Sequence, residues 1–467
     1  MTTKKRVHMI SLGCPKNRVD SEVMVGLIQA DQDFEMVSDA EGADIVVVNT
    51  CGFIDNAKKE SIDTILEMVD LKERGALEKV VVTGCLSQRY SDDLVREIPE
   101  VDTYLGTSTF TEIKRALRGE LDQKSYIQPG SFLMSNEVAR TNTIRGGTAY
   151  LKIAEGCSRN CSFCIIPSIR GKQVSRTIDD VVAEARMLGN NGVRELVLVA
   201  QDMTSYGIDL DPKNNRDYLE RLIRRLDEED LAIEWVRLLY MYPWNFTDEL
   251  VELLATSKRL LPYVDMPLQH ISRRILKSMR RNIQRDAQMT LIDKLRQIPD
   301  LILRTTFIVG YPGETEEEFQ ELLDWVEEVQ FDRVGVFTYS PEEGTHAATL
   351  EDDVPEEIKQ ERYERLMTLQ QEISLRKNKD WIGTTTEVIV DGISEEHELV
   401  FEGRHYGQAP EIDGVVYLSF DYGGTIPTPG DIVEVEIQDA TEYDLVGVVI
   451  PEQPINLERG NLDFSMG

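Results

Sequence analysis

The chain opens with apolar runs and helical patterns in alternation. VHMISLG, DIVVVNT and KVVVTG are short, rich in β-branched residues, and end in glycine or a small polar residue. Such runs predict buried strands of a parallel sheet. Between them SEVMVGLIQA and AKKESIDTILEMVDLKERG carry a helical period. The alternation predicts an α/β fold whose first part, residues 1–120, is an open parallel sheet with helices. Residues 121–147 lack a period and are expected to form a linker. A second α/β pattern occupies 148–380, with strands TAYLKIA, ELVLVA, EWVRLLY, YVDMPL, LRTTFIV and RVGVFTY. Six βα units predict an incomplete (β/α)6 barrel, open on one side, followed by a charged spacer helix from Val354. Over 383–450 the pattern changes to TTEVIVDG, ELVFEGRH, GVVYLSF and DIVEVEIQDA, short strands with Gly and Pro turns. These predict a small antiparallel β-barrel. The tail, 451–467, carries no clear signal.

Cysteine placement changes this picture from architecture to chemistry. Each of the first three strands is followed at once by a cysteine: Cys14, Cys51 and Cys85. Loops at the carboxyl ends of parallel strands gather along one edge, so these three become neighbours. One such cysteine is ordinarily a small buried residue; three of three point to a shared metal site. The barrel part contributes Cys157, Cys161 and Cys164 as CSRNCSFC, directly after its first strand and therefore on its catalytic rim. The opening MTTKKRVHMISLG has no apolar signal core, and no run is long enough to cross a bilayer. A cytoplasmic location and no membrane partner are therefore expected. There thiols stay reduced, and six cysteines speak for metal or catalysis rather than disulfides.

Zinc is the rival reading, but a structural zinc site takes four ligands. The cysteines divide three and three, and no nearby histidine completes either set. His270, in DMPLQHIS, stands at a strand end, where a rim hydrogen bond is the ordinary role. Cubane iron–sulfur clusters usually take four thiolates. A trio leaves one iron without a protein ligand, free to hold a substrate or cofactor.

The C-x3-C-x2-C spacing, with Phe163 before the last cysteine and a barrel strand before the first, resembles the radical S-adenosylmethionine superfamily. The resemblance implies a 4Fe–4S cluster whose unique iron chelates S-adenosylmethionine, and electron transfer that cleaves the cofactor to a 5′-deoxyadenosyl radical. The order of parts is similar to that of the methylthiotransferases, with a TRAM-like terminal barrel. SLGCPKNRVDSE, NTCGFIDNAKKES and TGCLSQRY match the pattern around that family's second 4Fe–4S cluster, with ligands here at Cys14, Cys51 and Cys85. The match covers nearly the whole chain. It implies that the second cluster supplies or carries sulfur for insertion into an unactivated C–H bond. One S-adenosylmethionine then gives a methyl group and another gives the radical. The division suits the chemistry, because an unactivated carbon must lose a hydrogen atom before sulfur can bond to it.

Rim positions supply the expected S-adenosylmethionine contacts: Phe163, Gln201, Asp202, Gln269, Arg304 and Gly310. Ordinary loop hydrogen bonding is an equal reading for each polar member. Gly310 belongs to FIVGYPGETEEEF, where Thr315 and Glu318 form a capping box and Gly313 completes the turn. The acidic run that follows argues against a phosphate site. Glu155 lies near enough to influence either trio, and Lys16 and Asn17 flank Cys14.

Charge then bears on the substrate. The chain has 84 acidic and 51 basic residues, a net of −33. Over 383–450 there are 15 Asp and Glu against one basic residue, Arg404, a net of −14. RNA binding draws on Lys and Arg to neutralise phosphates, so RNA contact is not favoured. Phe401, Tyr406, Tyr417 and Phe420 are then core or protein contacts rather than base-stacking platforms. An acidic barrel suits a basic protein. SLGCPKNRVDSE, DMPLQHIS and FTYSPEEGT look like the RimO-type branch of the family. That resemblance implies a basic small-subunit ribosomal protein, free or in the particle, as partner, and the β-carbon of one of its aspartates as target. An electron donor is also implied. Two alternatives stay open: methylthiolation of an adenosine near the transfer RNA anticodon, and a non-enzymatic iron–sulfur electron carrier.

Overall fold

The runs IVVVNT and KVVVTG form the centre of the first sheet because their valines find apolar cover on both faces. In the computed structural model, which describes residues 4–450 except 131, 212–216, 282, 284, 395–399 and 421–425, they are β3 (Ile45–Thr50) and β4 (Lys79–Gly84). With β1 (Lys5–Ser11), β2 (Phe34–Met36), β5 (Thr103–Leu105) and β6 (Ser125–Tyr126) they make a parallel sheet of order β2-β1-β3-β4-β5-β6. Alternation sorts the valines. Val46, Val48, Val80 and Val82 pack with α2 (Asp55–Glu73) and α3 (Cys85–Glu97), while Val47 and Val81 face α1 (Pro15–Gln29) and α4 (Ile113–Arg118). Strands β2, β5 and β6 are two or three residues long, too short to leave a periodic signal. Strand β6 lies within the expected linker, which therefore also extends the sheet. The tail expected over 451–467 lies outside the described residues.

The second part is a six-stranded parallel sheet, β14-β13-β12-β11-β10-β7. Its strands are β7 (Thr148–Lys152), β10 (Glu195–Val199), β11 (Trp235–Leu238), β12 (Leu260–Asp265), β13 (Ile302–Val309) and β14 (Arg333–Thr338). All six match the predicted strands, and β7 and β14 do not pair, so the barrel is open. A short antiparallel clasp, β8 (Ala154–Glu155) with β9 (Val174–Ser175), brackets the loop carrying Cys157, Cys161 and Cys164. The helix Glu356–Lys379 is more than a spacer. It places Leu366 and Ile373 in the core of the barrel, and Gln370 donates to the Phe331 carbonyl at 3.0 Å.

The terminal part is a closed barrel, β15-β16-β17-β19-β18. The strands are β15 (Thr385–Ile393), β16 (Phe401–His405), β17 (Val416–Ser419), β18 (Ile432–Ala440) and β19 (Leu445–Val449). The antiparallel expectation needs one amendment: β17 and β19 pair in parallel. A ring of five strands cannot alternate direction all the way round, so one pairing must be parallel. Strand β19 escaped the pattern reading because LVGVV follows β18 after only a tight polar turn. Among the described residues no helix is long and apolar enough to cross a membrane.

Two buried charge seams tie the three parts together. The helix α1 turns its polar residues inward: Lys16, Asn17, Asp20, Ser21 and Glu22 are all buried. Arg140, from the predicted linker, donates to Glu22 at 2.7 Å and to Glu184 of the barrel at 2.6 Å. On the terminal barrel, Arg404 donates to Glu195 at 2.7 Å and to Asp391 at 2.7 Å, and Glu195 also accepts from Arg237 at 2.9 Å. Tyr150 and Tyr263 reach from the open barrel to the Pro410 carbonyl (3.1 Å) and to Asp413 (2.7 Å).

Replacing Arg404 leaves Glu195 and Asp391 with one partner fewer in a largely buried seam. Arg404→Met is expected to destabilise the chain by about 3–5 kcal/mol, read by urea denaturation, with earlier proteolysis near Gly383. A loss below about 1 kcal/mol would mean that this seam behaves like a surface ion pair.

Candidate functional site

Strands β1, β3 and β4 are adjacent, which puts the cysteines that follow them along one edge of the sheet. Cys14 caps α1, Cys51 follows β3, and Cys85 opens α3. Close approach at this edge depends on Gly13, whose φ is +89° and whose added Cβ would lie 2.8 Å from that of Cys51. Ser61 accepts from the Cys51 N–H at 3.0 Å, and the Asn17 amide donates to Leu12 O at 2.6 Å, which pins the loops. All three thiols are free, with Cys85 buried. Burial and the neighbouring Cys85 and Cys14 sulfurs push the Cys51 thiol up to about 12. Burial also raises Cys85, against the opposing pull of Arg170.

The second trio sits on the loop between β8 and α5 (Ile166–Arg170). Gly156, at φ +79°, brings the loop against the Gly171 carbonyl, 2.7 Å from where a Cβ would stand. The Arg159 N–H approaches Cys157 Sγ at 3.4 Å. Its guanidinium donates to Asp202 at 2.6 Å and Ser205 at 2.8 Å. Arg159 and Arg281 both lie against the Tyr242 ring, at 4.3 and 4.0 Å, and Arg281 reaches toward Cys161 Sγ at 3.9 Å. Burial pushes Cys157 to about 11 and Cys164 to about 12.

These donor sets suit iron–sulfur clusters. Thiols that are buried and repel one another as thiolates need compensating positive charge, which iron supplies while displacing the protons. Among the described residues no three His, Cys, Asp or Glu donors are gathered closely enough for a single metal ion. A cubane asks for a wider spread, because each thiolate binds a different iron.

Between the trios lies a buried ionic lattice. Lys152 pairs with Asp20 and, at 2.6 Å, with Glu155. Arg170 donates to Asp20 at 2.9 Å, to Glu155 at 3.1 Å, to Asn17 at 3.1 Å and to Cys85 Sγ at 3.4 Å. Burial alone would raise the Glu155 carboxyl, but Arg170 and Lys152 hold it at about 2. Lys16 is buried beside it, its Nζ 3.0 Å above the centre of the Tyr240 ring.

The predicted rim residues fall into distinct settings. Gln201 donates to Glu155 at 2.7 Å, while its Oε1 is buried with no hydrogen-bond partner. Asp202 holds Arg159 on the cysteine loop. Gln269, beyond the end of β12, sits in the left-handed region at φ +74°, and Tyr240, just past β11, does so at +61°. Such outliers concentrate at functional sites. Phe163 packs with Met279, Tyr311 and Tyr339. Arg304 lies within the barrel, donating to Asp265 at 2.7 Å and standing 3.5 Å from Asp413 of the terminal barrel. Gly310, φ +70°, has its open side against the Lys359 stem, and its N–H donates to Glu314 at 3.0 Å. His270 is fully buried below that turn, 3.4 Å from Glu314, rather than exposed on the rim. The capping box at Thr315 and Glu318 is present.

Sequence reasoning missed Asp20, Lys152, Arg159, Arg170 and Arg281. Only Arg159 and Arg170 carried a signal, as cations beside a cysteine motif.

Family models match three stretches of the chain: "Uncharacterized protein family UPF0004" over 6–106, "Radical SAM superfamily" over 151–326 and "TRAM domain" over 382–450. Relatives named ribosomal protein uS12 methylthiotransferase RimO are similar over nearly their full length. The one from Sorangium cellulosum is 50% identical, over 97% of this chain and 92% of that protein. The one from Bdellovibrio bacteriovorus is 47% identical, over 96% and 98%. The fold is also similar to that of the radical S-adenosylmethionine methyltransferase TsrM from Kitasatospora setae, solved with cobalamin and a 4Fe–4S cluster. That likeness has a TM-score of 0.52 at 14% identity, covering 72% of this chain and 75% of the other.

Asp202→Ala frees Arg159 from its strut beside Cys157. Iron retained by this trio against a chelator is expected to fall 10–100-fold in affinity, measured after desalting. Unchanged retention would assign Asp202 no part in holding the loop.

Proposed function

The chain belongs to the family of ribosomal protein uS12 methylthiotransferases, and from that membership we propose that it inserts a methylthio group at the β-carbon of an aspartate in uS12. The observation that supports the reading is one buried seam in which Arg170, on the helix after the second cysteine motif, bonds Cys85 and Asp20 of the first part and Glu155, two residues before Cys157. Cys157, Cys161 and Cys164 would hold one 4Fe–4S cluster, and Cys14, Cys51 and Cys85 the other. When bound, these clusters and S-adenosylmethionine supply the reducing electron, the radical, the sulfur and the methyl group.

The chain's own residues then do four things. Arg159, clamped by Asp202 and Ser205, fixes the loop around Cys157. Gln201, anchored on Glu155, presents a bare acceptor to the cofactor. Glu155 stays a carboxylate near neutrality and so acts as an anchor rather than a proton carrier. Phe163 packs on the buried rings of Tyr311 and Tyr339, an apolar backing that would keep water from a reactive centre beside it.

The terminal barrel suits a basic protein. Its only Lys or Arg, Arg404, is buried in the seam, so its surface offers no lysine or arginine to a phosphate. The transfer RNA reading is not favoured. A mere electron carrier would need no such barrel. We propose in addition that an electron donor of the cell serves the cysteine face.

Mass spectrometry of ribosomal proteins and transfer RNA from cells lacking this chain should show a missing increment on uS12 alone. A loss in transfer RNA instead would overturn the substrate. Anaerobic reconstitution should load about eight irons. Cys14→Ala and Cys161→Ala should each leave about four, and only Cys161→Ala should abolish release of 5′-deoxyadenosine. Association with uS12 should weaken as ionic strength rises; binding indifferent to salt would remove the role given to the acidic barrel.

A further inference from the structure

Arg170 is the one side chain, among the described residues, that hydrogen-bonds a cysteine of one trio while riding on the loop of the other. It ends α5, six residues beyond Cys164, yet its Nε–H reaches Cys85 Sγ at 3.4 Å. Its remaining donors are also directed. One terminal nitrogen serves Asp20 at 2.9 Å and Glu155 at 3.1 Å, and the other serves Asn17 at 3.1 Å. The side chain is 2% exposed. A planar guanidinium with partners on both terminal nitrogens and on Nε cannot turn without breaking several bonds at once. Glu155 is in turn anchored by Lys152 and Gln201, so the assembly behaves as a strut from the cofactor rim to the second trio.

Resting on the functional reading above, we propose that Arg170 is a positioning residue for sulfur transfer, which sets the distance between the two trios and makes the cluster on Cys14, Cys51 and Cys85 easier to reduce. The second effect follows from the hydrogen bond. A cationic N–H donor draws electron density from a thiolate sulfur and so favours the cluster's reduced, more negative state. Lysine, with a single charged nitrogen, can keep a contact to Asp20 and Glu155 but cannot also place an N–H on the sulfur. An arginine is therefore required where a lysine would satisfy charge alone.

The test uses the full-length chain with Cys157, Cys161 and Cys164 changed to alanine, so that only the second cluster titrates. Redox titration followed by electron paramagnetic resonance compares this parent with added Arg170→Lys and, separately, added Glu22→Gln. Glu22 lies in the same interdomain seam but bonds no sulfur. Arg170→Lys is expected to retain iron and to lower the reduced-to-oxidised ratio at fixed potential by about tenfold, about 59 mV for one electron. Glu22→Gln should leave it unmoved. An unchanged midpoint in Arg170→Lys, or an equal shift in Glu22→Gln, would overturn the proposal. If Arg170→Lys does not fold, the parent still decides the matter: its Fe–S stretching bands should shift on deuterium exchange, and bands that stay fixed refute the hydrogen bond. A parent chain that loads no 4Fe–4S cluster would sink the functional reading itself, whereas a loaded cluster with an unmoved midpoint sinks only the role of Arg170.

Discussion

The structure depends on a group of charges that cannot reach water. Lys152, Asp20, Glu155 and Arg170 are nearly fully buried, two cations facing two carboxylates across the junction of α1 and the first strand of the open barrel. Removing ions from water is expensive, and mutual attraction repays it only when every charge is met. That condition is geometric. It holds at one relative placement of the two sheets and fails when they slide. The lattice therefore acts on register more than on overall stability, and the register it selects brings both trios to the same side.

The trios share a second constraint. Parallel strands deliver their following residues to one edge, and tight glycine turns allow the sulfurs to approach. Burial without metal disfavours thiolates, and it raises Cys51, Cys157 and Cys164, with the neighbouring sulfurs adding a smaller push. Loading of metal and consolidation of these loops are consequently linked, because iron supplies the positive charge that the apoprotein lacks. The cations nearby, Arg159, Arg170 and Arg281, offset part of that repulsion and orient the sulfurs.

Charge is divided between interior and surface in an instructive way. The terminal barrel holds its one arginine inside, against Glu195 and Asp391, and shows carboxylates outside. The same chemistry that docks this barrel to the catalytic part leaves its surface without a lysine or arginine to offset its carboxylates. A basic protein is drawn to such a surface and a polyanion is repelled.

Much of this was legible along the chain. Runs such as IVVVNT, the six barrel strands, the change of period after Gly383 and the cysteine spacings are local signals, and they determined three parts, two parallel sheets and two sulfur trios. Local pattern could not reveal that α1 buries its polar face. Nothing in the order of Lys16, Asp20 and Glu22 marks them as buried; they turn inward because Lys152, Arg170 and Arg140, all distant in sequence, meet Asp20 and Glu22 there. Nor could it show that Arg304 and Arg404 serve seams between parts, or that His270 lies beneath the Gly310 turn. Periodicity reports which side chains avoid water; which charges meet in its absence depends on surfaces distant in sequence, and only the folded chain brings those together.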